Sequence, residues 1–162
     1  MRKFVIPLTA LLIPGAALAD DPCSAFKWSL AREQAWLSQA APLDSGVATP
    51  IERPAYVLHL VAPGAAHLSV PPERDSKPGT YAGVLPITGI ANPGLYQVTL
   101  SAEAWIEVAQ NGARIKSQSF SGAIGCPSMR KSVRFSLAAG SAMIEISNSE
   151  KDVIGIAVGP AL

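Results

Sequence analysis

Short runs of hydrophobic residues alternate with turn-forming residues from Ala55 to the C-terminus. In residues 94–100, Tyr96, Val98 and Leu100 alternate with polar positions, and this period of two is typical of a β-strand with one buried face. Many short strands separated by turn signals are typical of an all-β sandwich or barrel. We predict about eight strands, in the runs at 56–60, 66–70, 81–87 and 94–100, in the hairpin 105–116, and in the runs at 133–137, 144–146 and 153–158.

Turn residues indicate how these runs are connected. Asn111-Gly112 separates two hydrophobic runs, and Asn-Gly is the strongest short hairpin signal because both residues tolerate positive φ angles. The segment Ala62–Ala65 predicts a second tight turn, while Leu43–Pro54 and Pro71–Thr80 are polar and are predicted to be a linker and a loop. Short connections favour antiparallel pairing, so the predicted fold is mainly β: an antiparallel jelly-roll-like β-sandwich of about eight strands with one N-terminal amphipathic helix.

The segment before the β-rich region has a different period. Phe26, Leu30 and Leu37 fall at helical spacing, and Pro42 ends the pattern. We predict one amphipathic helix at about Ser24–Gln39, which covers a sheet or closes one end of a barrel.

The first residues of the chain have the three parts of a secretory signal peptide. Arg2 and Lys3 are basic, residues 4–13 are apolar, and Ala17-Leu18-Ala19 is a small-x-small cleavage site. A membrane anchor is the alternative, but a spanning helix needs about 20 apolar residues, and prolines interrupt this stretch. We therefore predict a signal peptide at 1–19, a helical segment at 20–42 and a β-sandwich domain at 55–162 that is one globular unit with the helix, and we expect the mature protein to be periplasmic or secreted.

The charge of the chain is close to neutral. It has 13 Lys and Arg residues against 12 Asp and Glu residues, and loss of Arg2 and Lys3 with the signal peptide changes the formal charge from +1 to −1. General binding to nucleic acid depends on a clustered positive surface. We expect no nucleic-acid partner, and no membrane anchor after signal cleavage.

The two cysteines, Cys23 and Cys126, are far apart in the sequence. An even number of cysteines in an exported chain favours a disulfide bond. A reactive or metal-binding thiol is the alternative, but the two residues lack the C-x-x-C spacing of redox and zinc sites. We predict a Cys23–Cys126 bond that ties the loop around Cys126 to the mature N-terminus.

Two stretches of the C-terminal half, "PGLYQVTLSAEAWIEVAQNG" and "KSVRFSLAAGSAMIEISNSEKDVIGIAV", follow one another between Gly94 and Val158. Their strand and turn pattern resembles the bacterial pre-peptidase C-terminal (PPC) type of β-sandwich domain. The chain is also similar to small exported alphaproteobacterial proteins of unknown function that have an N-terminal C-x-x-F-x-W helix and a late G-C loop, here Cys23, Phe26 and Trp28, then Gly125-Cys126. This resemblance implies a jelly-roll-like sandwich and an accessory role, and it supplies no catalytic residues.

No catalytic motif is present in the sequence: G-x-S-x-G, the phosphate-binding G-x-x-x-x-G-K-[ST] and G-x-G-x-x-G after a strand are all missing. We therefore expect a non-enzymatic accessory or binding module of the cell envelope, without a cofactor, whose partner is a glycan or a protein. The oligomeric state is left open.

Four residues are the candidate binding residues of the predicted sheet: Trp105, Glu107, Arg114 and Arg134. Trp105 and Glu107 alternate onto one face of a predicted strand, where an aromatic ring beside a carboxylate can bind a sugar; the alternative is a solvated face with a packed tryptophan. Arg114 and Arg134 belong to a group of basic residues that can hold an anionic glycan, a lipid phosphate or an acidic partner. The alternative there is solvated edge charge that discourages pairing between sheets. The other basic residues of this group are Lys116, Arg130 and Lys131.

The two histidines support a different hypothesis, a metal-dependent jelly-roll (dioxygenase-like) enzyme. His59 and His67 lie symmetrically about Pro63, so a hairpin there would place them opposite one another, with Cβ atoms about 4.5–5.5 Å apart. An iron site with two histidines also needs one carboxylate, for which Glu73 or Asp75 is available. The simpler interpretation is one surface histidine and one half-buried histidine.

Overall fold

The computed structural model describes residues 21–162, so the predicted signal peptide at 1–19 lies outside the described residues. Two sheets, of six and five strands, pack as a β-sandwich, which confirms the predicted fold class. None of the helices in residues 21–162 is long and apolar enough to cross a membrane. The strands are β1 (Ala41–Asp44), β2 (Thr49–Pro50), β3 (Ala55–His59), β4 (Tyr81–Ile90), β5 (Gly94–Leu100), β6 (Trp105–Gln110), β7 (Ala113–Ile115), β8 (Ser117–Gly122), β9 (Lys131–Leu137), β10 (Gly140–Ser149) and β11 (Val153–Pro160).

The strand order is that of a jelly roll. The six-stranded sheet, sheet A, has the order β1-β3-β11-β5-β9-β8, and the five-stranded sheet, sheet B, has the order β2-β4-β10-β6-β7. When β7 and β8 are counted as one strand that changes sheets, the principal strands from β3 onward follow the two interlocked Greek keys of a jelly roll. Their neighbours are all antiparallel, whereas the added edge strands β1 and β2 pair in parallel with β3 and β4.

The strand that changes sheets does so at Lys116, between β7 and β8. β7 follows β6 through a tight turn in which Asn111 and Gly112 have φ angles of 54° and 75°, which confirms the predicted hairpin. Because the chain then leaves sheet B, β7 pairs with β6 only at Val108–Gln110, and β8 continues beside β9 in sheet A. One end of β6 therefore extends beyond its neighbour.

The middle of sheet A is buried on both faces. The alternating residues Tyr96, Val98 and Leu100 of β5 are at most 6% exposed and belong to the core between the sheets. The intervening Thr99 is also buried, and its hydroxyl donates a hydrogen bond of 2.9 Å to the hydroxyl of Ser132. The outer face is buried because the N-terminal segment lies across it, and this explains why polar positions of a regular alternation are inaccessible to water.

The N-terminal segment is less helical than predicted. A single helix at Ser24–Gln39 is wrong: the structure has a 3₁₀ helix at Pro22–Ala25 and a separate helix α1 at Ala31–Leu37. α1 nevertheless packs on β3 and β11, in the covering position that its apolar residues predict. The close approach needs Gly159 of β11, because a Cβ atom there would lie 2.8 Å from the ring of Trp36.

The predicted disulfide bond between Cys23 and Cys126 is present, with the two Cα atoms 4.7 Å apart. It joins the N-terminal 3₁₀ helix to the loop that follows β8. A small apolar cluster separate from the main core packs around it, so the bond and the cluster together fix the N-terminal segment beside the β8 end of sheet A. The buried members of the cluster besides Cys126 are Leu30, Ala123 and Met129.

Two further local predictions are wrong. Residues 66–70 form no strand, because the chain enters a 3₁₀ helix at Pro63–Ala65 and continues as an irregular loop. The predicted linker at Leu43–Pro54 contains the end of β1 and all of β2, which are edge strands with prolines, Pro42 and Pro50. Strands this short, with a proline each, give almost no alternating pattern in the sequence.

Candidate binding cleft

Clefts open beside β6 where this strand extends beyond β7 and faces β8 and β9 of the other sheet. The residues Trp105–Glu107 of β6 pair with β10 on one side and have no strand partner on the other side among the described residues. Two adjoining clefts, of about 260 Å³ and about 330 Å³, open here and share Trp105, Ile106 and Ser117. We call the two together the corner cleft. The first is further lined by Arg74, Phe120 and Lys131, and the second by Glu107, Arg114 and Lys116.

Trp105 forms the central wall of the corner cleft. Two cations lie near its ring, with the Arg74 guanidinium carbon 4.0 Å and the Lys131 ammonium nitrogen 4.9 Å from the ring centroid. Both are within the distance at which the ring quadrupole attracts a cation. The indole Nε1 is buried and has no hydrogen-bond partner in residues 21–162. The ring is therefore held by cations, and its one polar group is a donor without an acceptor.

Phe120 is the exposed apolar side chain of β8. It lies opposite Val133 of β9, and cross-strand partners point to the same face of a sheet, so Phe120 projects toward the core side. It is nevertheless 64% exposed, because sheet B ends at β7 and does not reach over it. The Lys27 ammonium lies 5.2 Å from the ring centroid. Phe120 thus forms an apolar patch of the cleft beside another cation.

The corner cleft has a surplus of positive charge at its rim. The Glu103 carboxylate pairs with Arg130 at 2.8 Å and with Lys131 at 3.8 Å, so one acid serves two bases. Burial lowers the pKa of Lys131, the nearby Glu103 opposes that shift, and the ammonium group donates a hydrogen bond of 3.0 Å to the carbonyl of Ala104. Three other cations at the cleft form no ion pair within the described residues: Lys27, Arg74 and Lys116.

Two buried carboxylates hold the loop of residues 62–80 on the outer face of sheet B. Glu107 of β6 and Glu145 of β10 are directly opposite one another. Glu145 Oε1 accepts hydrogen bonds from the Ser69 amide at 2.6 Å, the Ser69 hydroxyl at 2.5 Å and the Val70 amide at 3.3 Å. Glu107 Oε1 accepts one from the Glu73 amide at 2.8 Å. The loop is therefore attached to the sheet through its backbone.

Arg114 completes this attachment. Its Nε lies 3.2 Å from Glu107 Oε1, and its guanidinium also donates to the Pro71 carbonyl and lies 4.0 Å from the Glu73 carboxylate. Burial raises the pKa of Glu107, which the Glu73 amide and Arg114 oppose, while the charges of Glu73 and Glu145 raise it further. Glu107 and Arg114 are in contact with one another, and their contacts are internal ones that position the loop.

The four predicted binding residues do not form one site. Trp105, Glu107 and Arg114 line the corner cleft, whereas Arg134 lies on the outer face of sheet A. There its guanidinium carbon lies 4.0 Å from the centroid of the Trp28 ring, and its Nε donates to Gln97 Oε1 at 3.2 Å. Arg134 therefore contacts the N-terminal segment.

The two histidines are not cross-strand partners. The hairpin that would oppose them is not formed; His59 is opposite Asp44 of β1 and Val153 of β11, and its ring Nδ1 lies 2.9 Å from Asp44 Oδ1. His67 lies in the irregular loop with a φ angle of 50°. Within residues 21–162, no three His, Cys, Asp or Glu side chains are grouped so that they could hold a metal ion.

Sequence reasoning did not single out Phe120 or Arg74. Phe120 is one hydrophobic residue in the serine-rich segment Ser117–Gly122, which has neither alternation nor β-branched residues and so resembles a loop. Arg74 reaches Trp105 only because the loop that carries it is folded over sheet B. Lys131 was included in the basic group, but nothing in the sequence places it beside Trp105.

Comparison of the chain with family models, with curated proteins and with solved structures finds no match. The resemblance to PPC-type domains, like the resemblance to small exported proteins, stays a prediction.

Proposed function

We propose that this protein is a non-enzymatic accessory module of the cell envelope that binds a protein partner in the corner cleft. One observation carries the proposal: an apolar surface formed by Trp105 and Phe120 lies beneath Arg74 and Lys27, which have no carboxylate partner in the described residues. Exposed apolar surface rimmed by charge is the usual character of an interaction site. The Cys23–Cys126 bond supports a location outside the cytoplasm, where disulfide bonds persist.

The internal contacts of the acidic residues support a binding function. Glu107 and Glu145 each accept hydrogen bonds from the backbone of the 62–80 loop, and Glu103 is paired with two cations. A general acid or base must be within hydrogen-bond reach of its substrate. These carboxylates instead hold the walls of the cleft in place.

The arrangement around Trp105 favours a protein partner over a glycan. A sugar stacks on the open face of an aromatic ring, but here Arg74 and Lys131 lie at 4.0 Å and 4.9 Å from the Trp105 centroid. Phe120 is open, and aromatic side chains beside arginines are typical of the centres of protein interfaces. The cleft therefore suits a partner that brings apolar side chains and carboxylates.

Nuclear magnetic resonance of the purified protein tests this proposal. The Trp105 indole signal is assigned with Trp105→Phe, and the protein is titrated with a panel of envelope saccharides and with short peptides of negative, neutral and positive charge. We expect an acidic peptide to shift the Trp105 indole and the amides around Phe120. Phe120→Ala should weaken that binding, whereas Ile124→Ala should not, because Ile124 is 84% exposed but lies outside the cleft.

Two results would contradict the proposal. A saccharide that shifts the Trp105 indole while no peptide does would make the protein a glycan-binding module. Peptides and saccharides that all leave the Trp105 and Phe120 signals unchanged would show that the corner cleft is not a binding site for either class.

A further inference from the structure

Strand β8 forms an edge of sheet A. It pairs with β9 on one side and is the last strand of the sheet. Its residues Ser117–Phe120 are all exposed. An edge strand presents a row of backbone N–H and C=O groups that can pair with another chain.

Of the four edge strands in residues 21–162, β1, β2 and β7 each carry a proline or a charged residue, and β8 carries neither. The opposite edge of sheet A carries Pro42 in β1, and the corresponding edge of sheet B carries Pro50 in β2. Proline has no N–H group and interrupts pairing with a further strand, and charged side chains on an edge have a similar effect. The sequence of β8, Ser-Gln-Ser-Phe-Ser-Gly, contains neither a proline nor a charge, and its register with β9 shifts only between Ser117 and Ser119. From Ser119 onward β8 is thus a regular edge without proline or charge, and it lies beside the corner cleft.

We propose that β8 pairs with an extended acidic segment of a partner protein, which adds a strand to sheet A and places apolar side chains on Phe120. This inference rests on the proposed function, because it names how a protein partner occupies the corner cleft. Addition of a strand supplies main-chain hydrogen bonds for affinity, and alternate side chains of the added strand fit the pockets beside it. Here the pocket is the apolar surface of Phe120 and Trp105.

The charge of the surroundings determines the charge of the segment. Lys27 lies over Phe120, Arg74 lies over Trp105, and Lys116 is exposed immediately before β8. None of the three forms an ion pair in the described part of the chain. Arg130 also packs on this strand, since a Cβ atom at Gly122 would lie 3.1 Å from its guanidinium. A segment with carboxylates beside its apolar residues complements these cations, while a basic segment is repelled.

The probe is a short capped peptide in which Val or Thr alternates with Glu or Asp. Binding is measured by calorimetry and by the amide shifts of β8. Two control peptides have the same length: one has Lys in place of each acidic residue, and one keeps the sequence but carries N-methyl groups on alternate amides, which removes donors without changing charge. We expect only the unmodified acidic peptide to bind. Raising the salt from about 0.1 M to about 1 M shortens the screening length from about 10 Å to about 3 Å, and should therefore weaken binding of the acidic peptide.

Two pairs of variants test the place of binding. Phe120→Glu should weaken the acidic peptide by about tenfold or more, because it puts a like charge on the edge, whereas Ile124→Glu adds the same charge outside the cleft and should have little effect. Arg74→Glu should also weaken binding of the acidic peptide. Arg53→Glu changes an exposed arginine far from β8 in the fold and should leave that binding unchanged. Circular dichroism of each variant shows that it is folded.

The results separate this inference from the proposed function. Equal binding of the N-methylated peptide would overturn strand addition and leave a protein-binding cleft. Equal binding of the basic peptide would overturn the acidic character of the partner. Self-association of the protein that Phe120→Glu abolishes, with no peptide binding, would replace the partner by a second copy of this chain. If Trp105 and Phe120 respond to no peptide at all, the inference and the proposed function both fail.

Discussion

Removal of the Glu145 carboxylate tests whether the 62–80 loop is held by sheet B. Glu145 is 1% exposed, and its Oε1 is the acceptor for three donors of Ser69 and Val70. Glu145→Ala removes the acceptor, whereas Glu145→Gln keeps one oxygen in a similar position, removes the charge and replaces the other oxygen by an NH₂ group. The two variants therefore separate the effect of the hydrogen bonds from the effect of the charge.

The expected magnitudes follow from the burial of the donors. Each hydrogen bond to a charged group contributes about 1.5–3 kcal/mol, but Ser69 is exposed, so its two donors can turn to water after the acceptor is lost. Val70 is 8% exposed, and its unpaired amide costs about 1–3 kcal/mol. We expect Glu145→Ala to lower the free energy of unfolding by about 3 kcal/mol. Glu145→Gln should lower it by only about 1 kcal/mol, partly because the repulsion between the carboxylates of Glu145 and Glu107 is then removed.

Urea denaturation measures the change in unfolding free energy, and hydrogen exchange measures the protection of the Val70 amide. In Glu145→Ala we expect Val70 to exchange at a rate set by local opening, while the amides of β5 keep the protection of the core. The reasoning would be refuted if Glu145→Ala cost less than about 1 kcal/mol with Val70 still protected, because the loop would then be held by contacts other than this carboxylate.

Three other perturbations have defined outcomes. Because the pKa of Glu107 is raised above its ordinary 4.5, the native state keeps that proton to a higher pH than the unfolded state does. The unfolding free energy of the wild type minus that of Glu107→Gln, measured by urea denaturation, should therefore fall as the pH rises from about 4.5 toward neutral. A difference that does not change with pH would contradict the raised pKa. Serine at both cysteines should lower the unfolding free energy by about 4–5 kcal/mol for the 103-residue separation, and the N-terminal segment should become sensitive to protease; a loss below about 2 kcal/mol would mean that the apolar cluster alone holds the segment. Gly159→Ala should lower it by about 1–3 kcal/mol through the clash with the ring of Trp36, and Gly94→Ala, where a Cβ atom meets nothing within 4 Å, serves as the control in the same denaturation assay.

The strands that pack against the core could be predicted from the sequence, and so could the edge strand β7, which follows the Asn-Gly turn, whereas the edge strands β1, β2 and β8 could not. Strand β5 coincides with its predicted run because one face of its alternating pattern lies in the core, and the Asn111-Gly112 turn is local chemistry that needs no tertiary context. β8 has no such signal, because it is held by backbone hydrogen bonds to β9. Backbone hydrogen bonds do not require particular side chains, so they produce no pattern in the sequence. Residues 66–70 are the reverse case, an apolar run that resembles a strand but forms a loop. That loop is bound to sheet B through Glu145.

The candidate site could be predicted only in part for a related reason. Trp105, Glu107 and Arg114 belong to one hairpin, so alternation and the turn place them on one side of a sheet. Phe120 reaches the same cleft from the other sheet and Arg74 reaches it from the 62–80 loop. These contacts join residues far apart in the sequence, so a local sequence pattern cannot predict them. The strand of Arg134 could be predicted, but the contact of its side chain with Trp28 of the N-terminal segment could not, because the two residues are far apart in the sequence.

The corner cleft and the fold have a common cause in the crossing at Lys116. A strand that stayed in sheet B would pair with β6 along its whole length and would cover Trp105–Glu107, and sheet A would then end at β9. By changing sheets, the chain leaves one edge of β6 unpaired, adds β8 as an edge to sheet A, and carries Phe120 beyond the end of the opposite sheet. The disulfide bond then fixes the loop after β8 to the segment that carries Lys27, so the new edge has a cation beside it. Because these features follow from a single change of sheet, the exposed Phe120 and the free β8 edge are parts of one surface and are best tested together.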